Sequence, residues 1–370
     1  MDIDEHRQHP DISLERHVKS RVVELGRALA GKQAVYLDIR YWILLRQALL
    51  ADDSATPSWK LLTSLQDAVK SGKIFCPISE TVFLELLKQS DPSSRLRTAR
   101  LIDELSLGVS LLSQPHRVAT ELAHFFYSNR NGADVYPLRQ LVWTKLPYVL
   151  GFIHPTETAF DADTQLAIQK AFVDKMWTIE LVQMIGMIDE APLPFDSGLQ
   201  DIADMLNAGN TEHAGEIRSY KQAWVNELRG VVDLCADMAA DIVAEIAEKH
   251  GHSAPPRESD EWKRTRLMCA NLLFHGLQAK PGLRHKTPTL YIEACLHATI
   301  LWDKSRRLVG NDIYDFNHAS AAVAHCQAFF TEAPLKALLA LKHHGLADDF
   351  NCQVASDILE AIDVLSDLTQ

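Results

Sequence analysis

Gly31-Lys32-Gln33-Ala34-Val35-Tyr36-Leu37-Asp38 is the stretch on which the fold turns. Ala34 to Leu37 is an apolar run too short for a helix. It is bounded by a glycine upstream and closed by an acid, which reads as a strand buried on both faces. A helical pattern at 12–30, with Val22, Leu25 and Leu29 at helical spacing, precedes it, and another at 41–50 follows. The unit then repeats: helix 58–70, a stop at Ser71-Gly72, a short strand at Lys73-Ile74-Phe75-Cys76-Pro77, and helix 79–89. Helices alternating with short apolar strands predict a parallel sheet.

Working outward, strand character fades in the middle. Stretches 93–107, 115–128, 165–188, 211–249 and 258–278 read as helices, separated by turn chemistry such as Asn129-Arg130-Asn131-Gly132 and Lys280-Pro281-Gly282. Alternation returns at the end of the chain: helices at 289–303 and 313–325, a strand at 327–331, a helix at 333–342, a strand at 349–354 and a closing helix at 356–367. The expected architecture is one α/β domain with a central parallel sheet, assembled from residues 1–90 and 286–370. A large all-helical insertion spans 91–285.

The 370 residues are 47% hydrophobic and 23% charged, enough to bury a sizeable core. The net charge of −12 excludes polyanion binding by bulk positive charge. Much of it comes from 161–216, which holds 11 acids and 2 lysines and reads as a solvated helical surface. No apolar run is long enough for a membrane span, and the polar start Met1-Asp2-Ile3-Asp4 lacks a signal core. The 6 cysteines are scattered without a CxxC pair, as expected of free thiols in a reducing cytoplasm.

The acids fall where a parallel sheet gathers its chemistry, beyond the carboxyl ends of strands. Asp38 closes the first strand and Glu332 follows the strand Phe329-Phe330-Thr331. Glu80 and Glu85 lie in the helix after the second strand. They are five residues apart, about 140° around a helix, so both are not expected to hold one ion directly. Asp312 and Asp315 open the helix that continues through His318, Ala319 and Ala322, and as i,i+3 neighbours they share a face. Converging carboxylates repel unless cations neutralise them. An oxygen-only donor set favours Mg²⁺ or Mn²⁺ over zinc and suits phosphodiester hydrolysis.

Tyr36-Leu37-Asp38-Ile39, Ile78-Ser79-Glu80-Thr81-Val82-Phe83-Leu84-Glu85-Leu86, Asn311-Asp312-Ile313-Tyr314-Asp315-Phe316-Asn317-His318-Ala319 and Phe329-Phe330-Thr331-Glu332 resemble, in order, the acidic motifs of PIN-domain nucleases. The resemblance covers the two ends of the chain and leaves 90–285 without a counterpart. It implies a Rossmann-like three-layer PIN-type domain carrying a metal-dependent endoribonuclease directed at single strands. By the same resemblance Asp38, Glu85, Asp315 and Glu332 hold the metal and Asp312 supports them. Glu332 stands where the family more often has an aspartate.

Arg40, His318 and Glu80 are candidate supports for phosphate or carboxylate. Arg284, Lys286, Lys304, Arg306 and Arg307 set a net charge of +3 on residues 284–307, a candidate track for an RNA backbone, with Tyr291 and Trp302 as candidate stacking rings. No phosphate-binding GxxxxGK[ST] loop, GxGxxG turn or GxSxG nucleophile turn is present, which argues against nucleotide-switch, dinucleotide and serine-hydrolase chemistry. The expected function is a cytoplasmic, toxin-like endoribonuclease acting on single-stranded RNA, with DNA as an alternative substrate. Its expected partners are a second copy of the chain or an antitoxin-like protein, and no membrane. The competing expectation is a PIN-like binding or scaffold module working through its insertion, with Ile217, Trp224, Leu228, Val231 and Leu234 as the partner face.

Overall fold

The strand β1 (Gln33–Leu37) is buried from Ala34 onward and forms the middle of a parallel sheet. The computed structural model describes residues 3–129, 135–190, 198–213 and 215–370. On one side β1 pairs with β2 (Ile74–Phe75). Further along the chain come β3 (Val109–Leu111) and β4 (Trp143–Lys145), then β5 (Ala328–Phe330) and β6 (Gln353–Ala355). The four-stranded sheet has the order β2-β1-β5-β6, all parallel. Burial on both faces explains why β1 is a continuous apolar run instead of an alternating one.

The register fixes the chemistry at the carboxyl edge. Val35, Tyr36 and Leu37 stand opposite Ala328, Phe329 and Phe330. The Asp38 N–H then donates to the Phe330 carbonyl at 3.1 Å and the Thr331 N–H to Ala355 at 2.9 Å. Asp38, Thr331 and Glu332 therefore leave the sheet side by side.

The chain differs from the all-helical insertion expected for 91–285. β3 and β4 form an antiparallel pair inside it. A parallel bridge between Ile78 and Ser110, and a bond from the Leu111 N–H to the Ile78 carbonyl at 2.8 Å, dock β3 beside the short extended segment that follows β2. The main core takes Ile102 and Leu105 of the helix Pro92–Ser106, and Ile292, Leu296 and Ile300 of the helix Pro288–Trp302, together with the sheet. A second core belongs to a helical layer: Leu228, Val232 and Ala236 of the helix Tyr220–Glu248 pack on Cys269 and Leu273 of the helix Asp260–Ala279, with Leu122 and Leu290.

Three further boundaries differ from expectation. The pattern at 165–188 splits into the helices Ala162–Met176 and Leu181–Glu190, the stretch 211–249 holds the end of the helix Leu199–His213 and the separate helix Tyr220–Glu248, and the segment 349–354 begins with the last residue of a one-turn helix, Leu346–Asp349, so that β6 starts only at Gln353. Among the described residues no helix is long and apolar enough to cross a membrane. The cysteines described are free.

Candidate active site

Asp38 is the N-cap of the helix Ile39–Ala51. Its Oδ1 accepts from the Tyr41 N–H at 3.2 Å, and only 5% of the residue is exposed. Taking this carboxylate out of water pushes its pKa up to about 6, against the opposing pull of His318, a hydrogen bond from Thr331 and the Tyr41 N–H. Asp315, one turn into the helix Gly310–His325, is raised to about 7. Burial is the main cause. His318 opposes it, while the charges of Asp312, Asp38 and Glu332 add to it. Distant stretches thus set their carboxylates within one another's fields at the carboxyl edge of the sheet.

His318 is the counter-charge at the centre. The ring is buried, with Nε2 2.8 Å from Glu85 Oε2 and Nδ1 2.8 Å from the Tyr36 hydroxyl, which lies 2.6 Å from Ser79 Oγ. Burial works against charging the ring, but Glu85, Asp38 and Asp315 outweigh it and hold its pKa above the ordinary value. When protonated, His318 donates to Glu85 and to the Tyr36 oxygen, and the Tyr36 hydroxyl donates onward to Ser79. Sequence reasoning passed over Tyr36 and Ser79. A tyrosine in the middle of an apolar strand needs a partner for its hydroxyl, and that was the available signal.

Glu80 turns away from Glu85. It accepts from the Gln114 N–H at 2.7 Å and faces Arg117 Nη1 at 3.8 Å, so it ties the sheet to the start of the helix Gln114–Ser128. Burial raises its pKa and Arg117 restrains the rise. Asp312 is engaged on both oxygens, by Arg306 Nη2 at 2.8 Å and by the Val309 N–H at 2.8 Å, so it caps its own helix. Glu332 and Arg40 are exposed at the rim.

The basic residues of 284–307 do not form one track. Arg284 pairs with Asp349 at 2.9 Å and Lys286 reaches Asn129 at 3.5 Å, at one end of the helix Pro288–Trp302. Lys304, Arg306 and Arg307 lie beyond the other end, about 20 Å away at 1.5 Å per residue. There Lys304 and Arg307 are exposed, and Arg306 reaches Asp312. A groove at that end is lined by Arg218, Trp302, Lys304 and His343 among others. Tyr291 instead packs among Trp224, Arg284 and Phe350.

As donors, the oxygens of Asp38, Asp315, Glu85 and Glu332 are of the hard type that divalent cations such as Mg²⁺ take, and the carboxyl groups of Asp38 and Asp315 are raised chiefly by their burial. The set is spread wider than a closed cage. Among the described residues, the trio whose ligand atoms all lie within 4.8 Å of one another is elsewhere, at His6, His17 and Asp174. In comparisons with models of known families, with curated proteins and with solved structures, nothing matches this chain.

Proposed function

We propose that the chain is a metal-dependent phosphodiesterase, acting as an endoribonuclease on single-stranded RNA, built on a Rossmann-like three-layer PIN-type domain. The observation that carries the reading is the gathering of Asp38 and Asp315 beside Glu332 and the His318–Glu85 pair at the carboxyl ends of parallel strands, with both aspartates raised by burial, Asp38 further by Glu85 and Asp315 further by Asp312, Asp38 and Glu332. The parallel order β2-β1-β5-β6, with β3 bridged outside β2, supports the fold assignment.

Asp38, Asp315 and Glu332, with Glu85, would hold Mg²⁺ or Mn²⁺. Such an ion lowers the pKa of a water nucleophile and offsets charge on the phosphoryl oxygens. The rest falls to the chain itself. Thr331 and the Tyr41 N–H orient Asp38. Tyr36 and Ser79 fix the His318 ring, which holds Glu85 in place and keeps four acids from repelling one another fully. Arg40, Lys304 and Arg307 are exposed and available to phosphates. Trp302, 38% exposed in its groove with Arg218, offers a face to a base. Hydrolysis leaves a 5′-phosphate and a 3′-hydroxyl.

The test is incubation of the wild type, Asp38→Asn and Asp315→Asn with end-labelled single-stranded RNA and DNA, with and without Mn²⁺. Metal-dependent cleavage by the wild type should fall by roughly two orders of magnitude or more in each variant, the scale of several kcal/mol of lost stabilisation. Cleavage by Asp38→Asn at the wild-type rate would refute the assignment.

One observation favours a scaffold role instead. Leu234 is 86% exposed, and Leu267, Met268 and Leu272 are exposed on the neighbouring helix, where Arg266 reaches Asp237 and the Asp233 carbonyl. The rest of the expected partner face is taken up by packing: Ile217 and Leu228 are buried, and Trp224 and Val231 lie against the cores. A scaffold with a decayed acid site should show no gain in melting temperature with Mn²⁺, whereas a working site should.

A further inference from the structure

Away from the sheet edge, the N-terminal helices Ile3–Arg7 and Leu14–Leu29 meet the helix Ala162–Met176. Three side chains converge at that seam. His6 Nε2 lies 2.8 Å from Asp174 Oδ2, His17 Nε2 lies 2.9 Å from Asp174 Oδ1, and the two rings stand edge to face with centroids 5.0 Å apart. Both imidazoles are mostly buried, with 13% and 14% of their side chains exposed, and Asp174 is at 27%.

We propose that His6, His17 and Asp174 form a site for a transition-metal cation of the zinc class. Two imidazole nitrogens and one carboxylate oxygen are the donors of three-ligand sites for Zn²⁺ and its neighbours, and unlike the all-oxygen edge of the sheet they do not favour Mg²⁺. Ligand atoms around a tetrahedral ion with bonds of about 2.0 Å stand roughly 3.3 Å apart. Each Nε2 lies within 2.9 Å of one Asp174 oxygen and the three ligand atoms all fall within 4.8 Å of one another, so a modest rearrangement around the carboxylate opens the centre.

The frame around the trio is built. Lys170 is buried, and its ammonium donates to the carbonyls of His9 at 2.8 Å, Ile12 at 3.2 Å and His6 at 3.4 Å. That pins the turn between the two N-terminal helices, so His6 and His17 are held on one side of it. The Tyr148 hydroxyl, buried with no hydrogen-bond partner, feels the Asp174 charge and is a polar group ready for a water on the ion. Arg21 is the competitor, with Nε 2.9 Å and Nη2 2.8 Å from Asp174 Oδ1. Its side chain is 36% exposed and also reaches Glu24 at 3.3 Å, so it can give up the carboxylate when an ion arrives.

The experiment uses the full chain, stripped of metal and kept in excess Mg²⁺ so that the carboxylates at the sheet edge are masked. Co²⁺ and Zn²⁺ are titrated separately. The wild type should bind one equivalent of each, with a visible Co²⁺ absorption band that Zn²⁺ abolishes. His6→Ala, His17→Ala and Asp174→Asn should each bind at least ~10-fold more weakly and lose the band, and Asp38→Asn should keep it. The helix bearing His6 contributes no buried residue, so His6→Ala tests the ligand without threatening the fold. Absence of saturable Co²⁺ and Zn²⁺ binding in the wild type would overturn the proposal, as would unchanged stoichiometry and affinity in His6→Ala.

Discussion

Asp38→Asn should make the metal-free protein more stable at alkaline pH while abolishing cleavage. The fold raises the Asp38 carboxyl from 3.8 to about 6, chiefly by burying it. A proton affinity higher in the folded than in the unfolded chain means that ionisation is worse tolerated in the fold. Each tenfold in that affinity is about 1.4 kcal/mol, so the ionised carboxylate destabilises the fold by about 3 kcal/mol at most. The sign follows: the wild type has its full stability below the unfolded value near 3.8, loses it as pH rises through about 6, and is flat beyond. Asparagine keeps an oxygen for the Tyr41 N–H but carries no charge. Weakening of that capping bond, normally worth about 1 kcal/mol, leaves an expected gain of ~1–2 kcal/mol at pH 8. Urea unfolding of wild type and variant in EDTA, across the acid and alkaline limbs, measures it. Excess Mn²⁺ should then stabilise the wild type alone. A variant less stable than wild type at pH 8, or a difference that does not change with pH, would show that the carboxylate is not strained by burial and that the electrostatic account of the site is wrong.

His318→Ala removes the partner of the Glu85 carboxylate and leaves the Tyr36 hydroxyl with Ser79 alone, and urea melts should register a loss of about 2–3 kcal/mol. Because the His318 pKa is raised, the part of stability due to its charge is present below the ordinary value of 6.5 and fades as pH climbs through the raised folded value, so the deficit of this variant should shrink in alkali. Asp312→Ala removes a cap and the Arg306 pair, costing about 1 kcal/mol, and should leave nuclease assays within several-fold of wild type; a loss as deep as that of Asp315→Asn would make Asp312 a ligand. Gly26→Ala places a methyl 1.9 Å from the Gln140 carbonyl oxygen, where the helix Leu14–Leu29 lies against the turn at Leu138–Gln140, and thermal melts should fall by an amount equivalent to about 1–3 kcal/mol.

Periodicity was informative wherever a segment carried its own reason for its shape. β1 announces itself because both faces are buried, and the helix Pro92–Ser106 because Asp91 caps it and Pro92 opens it. The division at Trp177–Glu180 had no local mark. The helix Leu181–Glu190 is capped from afar, by the Asp103 carboxylate accepting from the N–H groups of Leu181 at 2.7 Å and Val182 at 2.9 Å. β3 and β4 are three residues each, below the length at which alternation shows, and exist through their pairing. The segment at 349–354 misled because its apolar residues Phe350 and Cys352 flank Asn351, which takes a left-handed conformation and turns the chain. At the site, position along strands indicated Asp38, Asp315 and Glu332, but spacing alone could not tell which of Glu80 and Glu85 faces His318. The His6, His17 and Asp174 trio joins residues more than 150 positions apart, and no short motif encodes it.

The pairing of β1 with β5 has a consequence for how the protein is made. The Gln327 side chain meets the Ala34 N–H across 293 positions, so the first strand, already able to pair with β2, gains β5 only long after it is made. Closing a loop of that length costs about 5 kcal/mol of chain entropy, repaid only when the last strands leave the ribosome. The helical layer in between is complete earlier and can shorten the gap by folding first. Until the final stretch emerges, Asp38 has no Thr331 beside it and no Asp315 across from it. A chain cut short before that stretch therefore cannot gather these carboxylates at the edge of its sheet, and the cluster comes into being only when both distant ends of the sheet are present.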